Sequence, residues 1–277
     1  LICDYPNDVQ LMGHCVVKLV DNNNKDNNEI TLLSFGGAFK HTLVMKYISV
    51  WNNHNNPIII GRYYDDYQGV RAVIGGINNN LLFITYPKND ISVFDLNTFQ
   101  FIQHHNLPIC NNIFYHCFVL KSENEQEQEK NKKRNYKMML FCKDTGLSVE
   151  YNEDKNTFQF HKLTVCDHIA SFNYYSYLCI NDIILFFGGY CCINNQLIIS
   201  TSVCKYSIRE NKWMIFENAL PSPLHDCVAI LNEENNDIYI IGGRNDKDNI
   251  LSIHMKTKVR IWDPSQLVII CLFIYFD

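Results

Sequence analysis

The sequence predicts an all-β fold in which a unit of four short antiparallel strands is repeated along the chain. Two recurring patterns predict it. Apolar runs end in paired glycines at Gly36-Gly37, Gly188-Gly189 and Gly242-Gly243. Aromatic residues seven positions apart flank a polar turn in the pairs Phe94 and Phe101, Tyr151 and Phe158, and Tyr206 and Trp213. Short strands that recur with almost no helical pattern between them are typical of the blades of a β-propeller.

Each unit is predicted to contain four strands in a fixed order. The first strand begins near a histidine and a cysteine that follow a proline, and the second is the apolar run. The third strand ends in Tyr or Phe, a turn rich in Asn, Asp and Glu follows, and the fourth strand begins at Trp or Phe. Polar turns between strands of this length form antiparallel hairpins, and a proline-containing link leads to the next unit.

The glycine pairs mark the places where the second strand leaves its sheet. In IILFFGG (Ile183 to Gly189), five apolar residues precede the pair. Because side chains alternate across a strand, a continuous apolar run indicates that both faces are covered. Glycine adopts positive φ freely and lets another backbone approach closely. The pairs therefore predict a crowded corner in successive blades.

The segment from Ile183 to Trp213 contains an apolar strand, a glycine pair, Tyr206 and Trp213 in this order. This pattern resembles the kelch repeat, and its recurrence covers nearly the whole chain. The resemblance implies a kelch-type β-propeller of four-stranded antiparallel blades. The aromatic spacing would place one ring on each side of a hairpin turn, where both rings can pack against the adjacent blade.

Five blades are recognisable, with a partial sixth. The predicted blades are 12–60, 68–108, 110–163, 172–218 and 224–263, and the third carries a charged loop at 121–137. We expect residues 1–8 to be the last strand of a preceding blade and residues 264–277 to be a C-terminal strand of an incomplete chain. The two ends would then build the sixth blade jointly, or that blade would be largely missing.

Some positions depart from the kelch pattern. Tyr86-Pro87 is predicted to make the turn in the second blade, where the glycine pair is absent. The third blade has FCKDTG (Phe141 to Gly146) in place of the pair. In the fifth blade, Met255 stands at the aromatic position that is paired with Trp262.

The net charge limits the classes of partner that are expected, and the cysteine content indicates the cellular compartment. The net charge of −5 gives no basic field for nucleic acid or an anionic membrane. The 12 cysteines form no C-x-x-C pair and mostly lie in apolar runs. Reduced thiols in an intracellular, cytoplasmic protein are therefore favoured over the disulfide framework of a secreted one. The apolar run LVIICLFIYF has ten residues, about half of what a membrane-spanning helix needs.

Histidines and cysteines at the blade starts could suggest a metal site (His14-Cys15, His116-Cys117, and His225 with Cys227). Because they occupy equivalent positions in successive blades, the fold would space them apart, whereas zinc needs converging donors. We expect these histidines to bond to the backbone and these cysteines to lie in the core. A denser cluster in one link is predicted to be a polar turn, with metal binding as the alternative (His161, Cys166, Asp167 and His168).

Two further segments are candidate sites. KDTGLS contains Asp144 in an Asp-Thr-Gly triplet, which is also found in aspartic proteases. Those enzymes need two such loops facing each other, and this sequence has one, so Asp144 is assigned to a hairpin turn. The segment RYYDDYQG (Arg62 to Gly69) has the composition of a protein-binding anchor. The preferred interpretation is a link between blades whose tyrosines, Tyr63 and Tyr67 among them, are half buried against a neighbour. No metal, cofactor or catalytic residue is predicted.

The expected function is non-catalytic binding of a partner protein, which the kelch resemblance implies through loops on one propeller face. Neither nucleic acid nor a membrane is expected as a partner. An enzyme is the alternative, since galactose oxidase shares the kelch-type propeller and binds copper through tyrosine and histidine. No residue-by-residue match to that site is present. A truncated product without an independent function is the third possibility.

Overall fold

The structure is a computed structural model, and it describes residues 9, 12–19, 31–46, 60–61, 64–121, 135–194, 196–217, 219–247, 249–251 and 254–262. The predicted fold class is confirmed, because the protein is all-β with five antiparallel blades of a β-propeller. The chain divides into two compact units, unit 1 (Leu1–Leu163) and unit 2 (Thr164–Asp277). Predictions for residues 1–8 and 264–277 and for most of the charged loop lie outside the described residues.

Unit 1 contains the first three blades. Its strands are β1 (His14–Leu19), β2 (Thr31–Gly36), β3 (His41–Lys46), β4 (Arg71–Gly75), β5 (Leu81–Tyr86), β6 (Asp90–Asp95), β7 (Gln100–Asn106), β8 (Cys117–Leu120), β9 (Asn135–Cys142), β10 (Thr145–Asn152) and β11 (Thr157–Leu163). Each blade is an antiparallel meander in chain order, β1-β2-β3, β4-β5-β6-β7 and β8-β9-β10-β11.

Unit 2 contains the fourth and fifth blades. Its elements are α1 (Asp167–Ala170), β12 (Ser176–Ile180), β13 (Ile183–Phe187), β14 (Tyr190–Ile193), β15 (Gln196–Ile199), β16 (Val203–Ser207), β17 (Lys212–Phe216), β18 (Val228–Asn232), β19 (Asp237–Ile241), β20 (His254–Lys258) and α2 (Val259–Trp262). The fourth blade has the order β12-β13-β16-β17, and β14 pairs with β15 in a separate two-stranded sheet. The described strands of the fifth blade have the order β18-β19-β20.

Burial decreases from the inner strands to the outer strand of a blade. Every residue of β5 and β13 is buried. In the outer strands β7, β11 and β17, exposed residues are interspersed with half-buried ones. The second strand of a blade is uniformly apolar because other chain covers both of its faces, whereas the outer strand faces solvent.

The aromatic pairs that define the repeat lie directly opposite each other on neighbouring strands. Ring centroids are 5.1 Å apart for Phe94 and Phe101, 4.9 Å for Tyr151 and Phe158, and 5.0 Å for Tyr206 and Trp213. In each pair the first ring is buried and the second is half-buried. The seven-residue spacing thus closes a hairpin with ring contacts across it.

The turns inside these hairpins share a second feature. The Tyr151 hydroxyl donates to Asn156 Oδ1 at 2.7 Å, and the Tyr206 hydroxyl donates to Asn211 Oδ1 at 2.6 Å. Both asparagines have positive φ, of 52° and 53°. Asparagine tolerates this left-handed conformation better than most residues. The second blade has Phe94 in place of the tyrosine and Phe99 at the left-handed position, with φ of 56°.

Aromatic side chains also join neighbouring blades within each unit. In unit 1, Phe83 on β5 packs against Tyr151 on β10, with ring centroids 5.2 Å apart, and against Tyr136 at 5.9 Å. In unit 2, Trp262 follows the fifth blade and packs against Phe187 and Phe216 of the fourth, at 6.2 and 5.3 Å. Rings on one blade therefore fill space against the next.

All six residues of the glycine pairs have positive φ. The corner at Gly188-Gly189 is the most crowded, since a Cβ on Gly188 would lie 2.0 Å from the Leu224 carbonyl oxygen. Gly189 N–H donates to the same Leu224 oxygen at 2.8 Å. Leu224 lies in the link to the fifth blade, so the end of β13 is bonded to the chain that enters the next blade.

Trp262 differs from its predicted position at the start of a fourth strand. It lies in α2 instead, where Val259 and Trp262 are three residues apart and both buried. That spacing places two side chains on one side of a helical turn. Val259 N–H donates to Asn236 O at 3.1 Å, and Trp262 Nε1–H donates to Thr257 Oγ1 at 3.2 Å. These bonds fix the turn of helix directly after β20.

The two blades without a glycine pair make tight hairpins at the end of the second strand. Tyr86 is paired with Asp90 across Pro87, Lys88 and Asn89. Cys142 is paired with Thr145 across Lys143 and Asp144, and Lys143 has φ of 52°. A tight hairpin returns directly to the third strand, so the paired-glycine corner is absent there.

Candidate functional site

The end of each sheet at which the first strand begins and the second strand ends is called here the rim. A residue with left-handed backbone comes just before the first strand in every blade: Gly13, Gly69, Tyr115, Tyr174 and Asp226, with φ of 68°, 70°, 51°, 54° and 54°. In unit 1, Gly69 N–H donates to Gly13 O at 2.8 Å, and Tyr115 N–H donates to Gly69 O at 3.0 Å. In unit 2, Asp226 N–H donates to Tyr174 O at 2.9 Å. Main-chain bonds thus join neighbouring blades at the rim within each unit.

The rim of unit 1 carries a basic cluster. The rings of His14 and His41 have centroids 5.3 Å apart, and His41 Nε2 is 2.8 Å from Ser34 Oγ. The Arg71 guanidinium lies over the Tyr115 ring, 5.7 Å from its centroid. It also donates to the carbonyl oxygen of Val70 at 2.9 Å.

His116 is buried beside this cluster and bonds to a side chain rather than to the backbone. Its Nε2 is 2.6 Å from Thr85 Oγ1. The Thr85 hydroxyl donates to the Arg71 carbonyl oxygen at 3.3 Å. The hydroxyl hydrogen is then used, so Thr85 accepts from His116 Nε2–H.

Burial keeps the histidines of this cluster neutral. It lowers the pKa of His14 to about 4, with further contributions from His41 and Arg71. Burial, and to a smaller extent Arg71, holds the pKa of His116 well below its usual value. Burial also lowers the pKa of His41. At neutral pH, Arg71 therefore supplies the positive charge of the cluster.

We expect the stability of unit 1 to fall as the pH falls below about 6.5. A histidine whose pKa is lower in the folded state binds its proton more readily when unfolded, so stability is fully present above the unfolded pKa of about 6.5. For His14 the loss should proceed down to the folded pKa of about 4. Urea unfolding at pH 7.5, 6 and 5 measures it. His14→Gln should lose less stability over this range than the wild type, whereas the same change at exposed His161 should leave the pH dependence intact. An unchanged slope in His14→Gln would contradict the expectation.

The rim of unit 2 is aromatic. Tyr190 packs against Tyr174 and His225, with ring centroids 5.0 and 5.2 Å away. Asn173 and Tyr190 form an antiparallel bridge, with two backbone bonds of 2.8 and 2.9 Å. Arg244 forms a second bridge with His225. Backbone bonds and ring contacts together fix the base of the β14–β15 hairpin.

This hairpin, called here the ribbon (Tyr190–Ile199), extends from the rim after Gly188-Gly189. Its sequence, YCCINNQLII, contains no charged residue. Ile193, Leu197 and Ile198 are exposed to 48%, 49% and 42%. Strand alternation places Leu197 on the opposite face from Ile193 and Ile198, so both faces of the ribbon present apolar atoms to solvent. An uncharged, exposed apolar hairpin is the strongest candidate for a docking element in the described chain.

The blade-start histidines and cysteines were expected to have structural roles, and the three cysteines have the predicted position. Cys15, Cys117 and Cys227 are buried in the core. Among the described residues, no group of three or more His, Cys, Asp or Glu side chains converges as metal ligands would. His116 and His14 contact the neighbours given above.

The remaining candidate residues from the sequence lie in the core, in a turn, on a strand or in α1 and its approach, or are exposed. Tyr67 is 1% exposed and packs against Tyr86 at 4.7 Å, so it is a core residue. Tyr64 is 85% exposed, and Tyr63 lies outside the described residues. Asp144 accepts a bond from Asn111 Nδ2 at 2.8 Å within its turn. Of the link cluster, His161 lies on β11, whereas Cys166 precedes α1 and Asp167 and His168 lie in it.

Sequence reasoning missed the ribbon, and one signal could have found it. Two asparagines, Asn194 and Asn195, separate short apolar runs. Such a dipeptide favours a tight hairpin because asparagine accepts positive φ, and Asn194 has φ of 51°. The residues with left-handed backbone at the rim carry no such sequence signal, because the hydrogen bonds that they form between blades use main-chain groups.

Comparisons with known proteins assign the chain to no family. No family model matches the chain, and no curated protein matches it. A solved structure titled "Structure of YjhT" aligns over 92% of this chain and 96% of that chain, with a TM-score of 0.40 and 10% identity. Neither helix of the described residues is both long and apolar enough to cross a membrane.

Proposed function

We propose that this protein is a kelch-type propeller whose function is non-catalytic binding of a partner protein at the rim of unit 2. The kelch assignment is supported by the recurring glycine pairs and by aromatic pairs such as Tyr206 and Trp213, which meet across hairpins. An intracellular location and the absence of catalytic chemistry are parts of the same proposal.

The observation that supports the site is the exposure of the ribbon. Leu197 and Ile198 are 49% and 42% exposed on a two-stranded sheet. Burying such side chains in an interface contributes on the order of 25 cal/mol per Å² of apolar surface. The ribbon lacks any charge, so the complementary surface is an apolar, uncharged region of the partner protein.

The test compares two double variants with matched exposure in unit 2. Leu197→Lys with Ile198→Lys changes the ribbon, and Met214→Lys with Ile215→Lys changes a pair that is 49% and 40% exposed on outer strand β17. We expect the ribbon variant to lose at least about tenfold in affinity for captured partner proteins, equivalent to about 1.4 kcal/mol. The β17 variant should bind as the wild type does.

Quantitative affinity capture from cell extract identifies the partners, and titration with each purified partner gives the dissociation constants. Circular dichroism checks that both variants are folded. Equal binding by the two variants would exclude the ribbon as the docking element. Loss of binding in the β17 variant alone would indicate that the partner binds the outer strands instead of the ribbon.

A further inference from the structure

The rim of unit 1 holds two cations over neighbouring aromatic rings. The Arg71 guanidinium is 5.7 Å from the centroid of the Tyr115 ring. Lys143 Nζ is 6.0 Å from the centroid of the Phe114 ring. Phe114 and Tyr115 are adjacent in the chain, and their ring centroids are 6.1 Å apart. Because Arg71 begins β4 and Lys143 follows β9, cations from the second and third blades lie over one pair of adjacent rings.

Backbone structure fixes where both side chains begin. Tyr115 N–H donates to the carbonyl oxygen of Gly69 at 3.0 Å, and Gly69 is two residues before Arg71. Lys143 lies in the tight hairpin between β9 and β10. Strand β9 is paired with β8, which begins two residues after Tyr115. The two cations are therefore attached to paired strands at the rim.

Both cations lack an acidic partner within the part of the chain that the structure describes. The Arg71 guanidinium donates to Val70 O at 2.9 Å, and arginine has more N–H donors than this bond uses. Asp144 follows Lys143 in the chain, but it accepts a bond from Asn111 Nδ2 at 2.8 Å. Arg71 and Lys143 are partly buried, so water hydrates their charges incompletely.

The charges of two other lysines are balanced, in a chain whose net charge is −5. Lys137 Nζ is 2.8 Å from Glu150 Oε1, and Lys256 Nζ is 2.7 Å from Asp237 Oδ2. A planar guanidinium presents a fork of N–H donors that matches two oxygens of a carboxylate or phosphate group. An ammonium group adds a point charge with rotatable donors. An unpaired cation of each kind at one place suits a ligand with two negative groups.

We propose that the rim of unit 1 binds a compact small molecule that carries two oxyanion groups, of which Arg71 binds one and Lys143 the other. Arg71 donates a bidentate pair of hydrogen bonds, and Lys143 donates to the second group. The partly exposed rings of Phe114 and Tyr115 offer apolar surface to the part of the ligand that joins the two groups. A compact ligand fits because the two cations lie over adjacent residues. Partner binding by the ribbon of unit 2 involves none of these residues, so the two sites are tested separately.

Isothermal titration calorimetry of the full chain at low ionic strength, with inorganic pyrophosphate and citrate as probes, tests this site. We expect at least one probe to bind the wild type, and the tighter one shows whether phosphate or carboxylate is preferred. Arg71→Gln and Lys143→Gln should each lower that affinity by at least about tenfold, because each removes charge-assisted hydrogen bonds. Arg71→Lys keeps the charge without the fork, so its loss should be smaller than that of Arg71→Gln. Circular dichroism checks folding, and if Arg71→Gln does not fold, Arg71→Lys and Lys143→Gln decide the result.

Lys88→Gln is the matched control for Lys143→Gln. Lys88 lies in the equivalent hairpin of the second blade and also has left-handed backbone, with φ of 69° against 52°, but its side chain is exposed. This variant should bind both probes as the wild type does. Equal losses in the two variants would indicate general attraction to a basic rim and would overturn the proposal. Failure of both probes to bind the wild type would also overturn it, and binding of a hexaglutamate peptide alone would assign the rim to an acidic protein segment instead.

Discussion

Gly188→Ala is expected to lower the free energy of unfolding by about 4 kcal/mol, near the upper end for a single substitution. Gly188 has φ of +64°, which costs a residue with a side chain about 1–2 kcal/mol. The added Cβ would also lie 2.0 Å from the Leu224 carbonyl oxygen. That oxygen accepts the Gly189 N–H, and Leu224 is fully buried, so it cannot move without breaking a bond and opening the core. Urea unfolding of the purified protein measures the loss.

Gly242→Ala is the matched control for this prediction. Gly242 is the equivalent glycine of the fifth blade and has nearly the same φ, +66°. Within the part of the chain that the structure describes, its Cβ would meet the Leu251 carbonyl oxygen alone, at 4.0 Å. This variant should therefore lose about 1–2 kcal/mol, the cost of left-handed backbone alone. Equal losses in the two variants would show that crowding at the Gly188 corner has no energetic role.

Phe83→Ala is expected to lower the free energy of unfolding of unit 1 by about 4 kcal/mol, as is usual for a large aromatic residue in a core. Phe83 on β5 is fully buried and contacts Tyr151 and Tyr136 of the next blade. Removing the ring leaves a cavity between the second and third blades that rigid sheets cannot close. Thermal and urea unfolding, monitored by circular dichroism, test this value.

The matched control is Phe99→Ala in the same blade. Phe99 is 52% exposed and has φ of 56° in its turn. Its ring contributes little to the core, so the substitution should change stability by less than about 0.5 kcal/mol. A loss below about 1 kcal/mol for Phe83→Ala would mean that the two blades are stable without each other. The proposed packing of blade against blade would then be wrong for unit 1.

The fold was predictable because its signals are local and repeat. The spacing of Tyr206 and Trp213 is that of a hairpin, and their rings meet across it. The run from Ile183 to Phe187 is apolar because all five residues are buried. Each pattern depends on a few neighbouring residues, and recurrence makes accidental matches improbable.

The features that sequence reasoning missed depend on residues far apart in the chain. His116 was expected to bond to backbone, but it meets Thr85, a residue of the preceding blade. Trp262 fitted the seven-residue spacing after Met255, yet α2 follows β20 directly. Spacing cannot distinguish a fourth strand from a short helical turn with the same buried residues.

The main-chain bonds at the rim have a consequence for how this scaffold can diversify. The left-handed residue before the first strand is glycine in two blades, tyrosine in two and aspartate in one. In unit 1 the bond that Gly69 donates to Gly13 is equivalent to the bond that Tyr115 donates to Gly69. Only amide and carbonyl groups take part in these bonds, but Gly13 and Gly69 leave no room for a side chain, because an added Cβ would lie 2.5 Å and 2.7 Å, respectively, from atoms of Tyr115. Natural selection or engineering can therefore vary the recognition chemistry at the three positions that already carry a side chain, Tyr115, Tyr174 and Asp226, while the main-chain connections between blades of each unit persist.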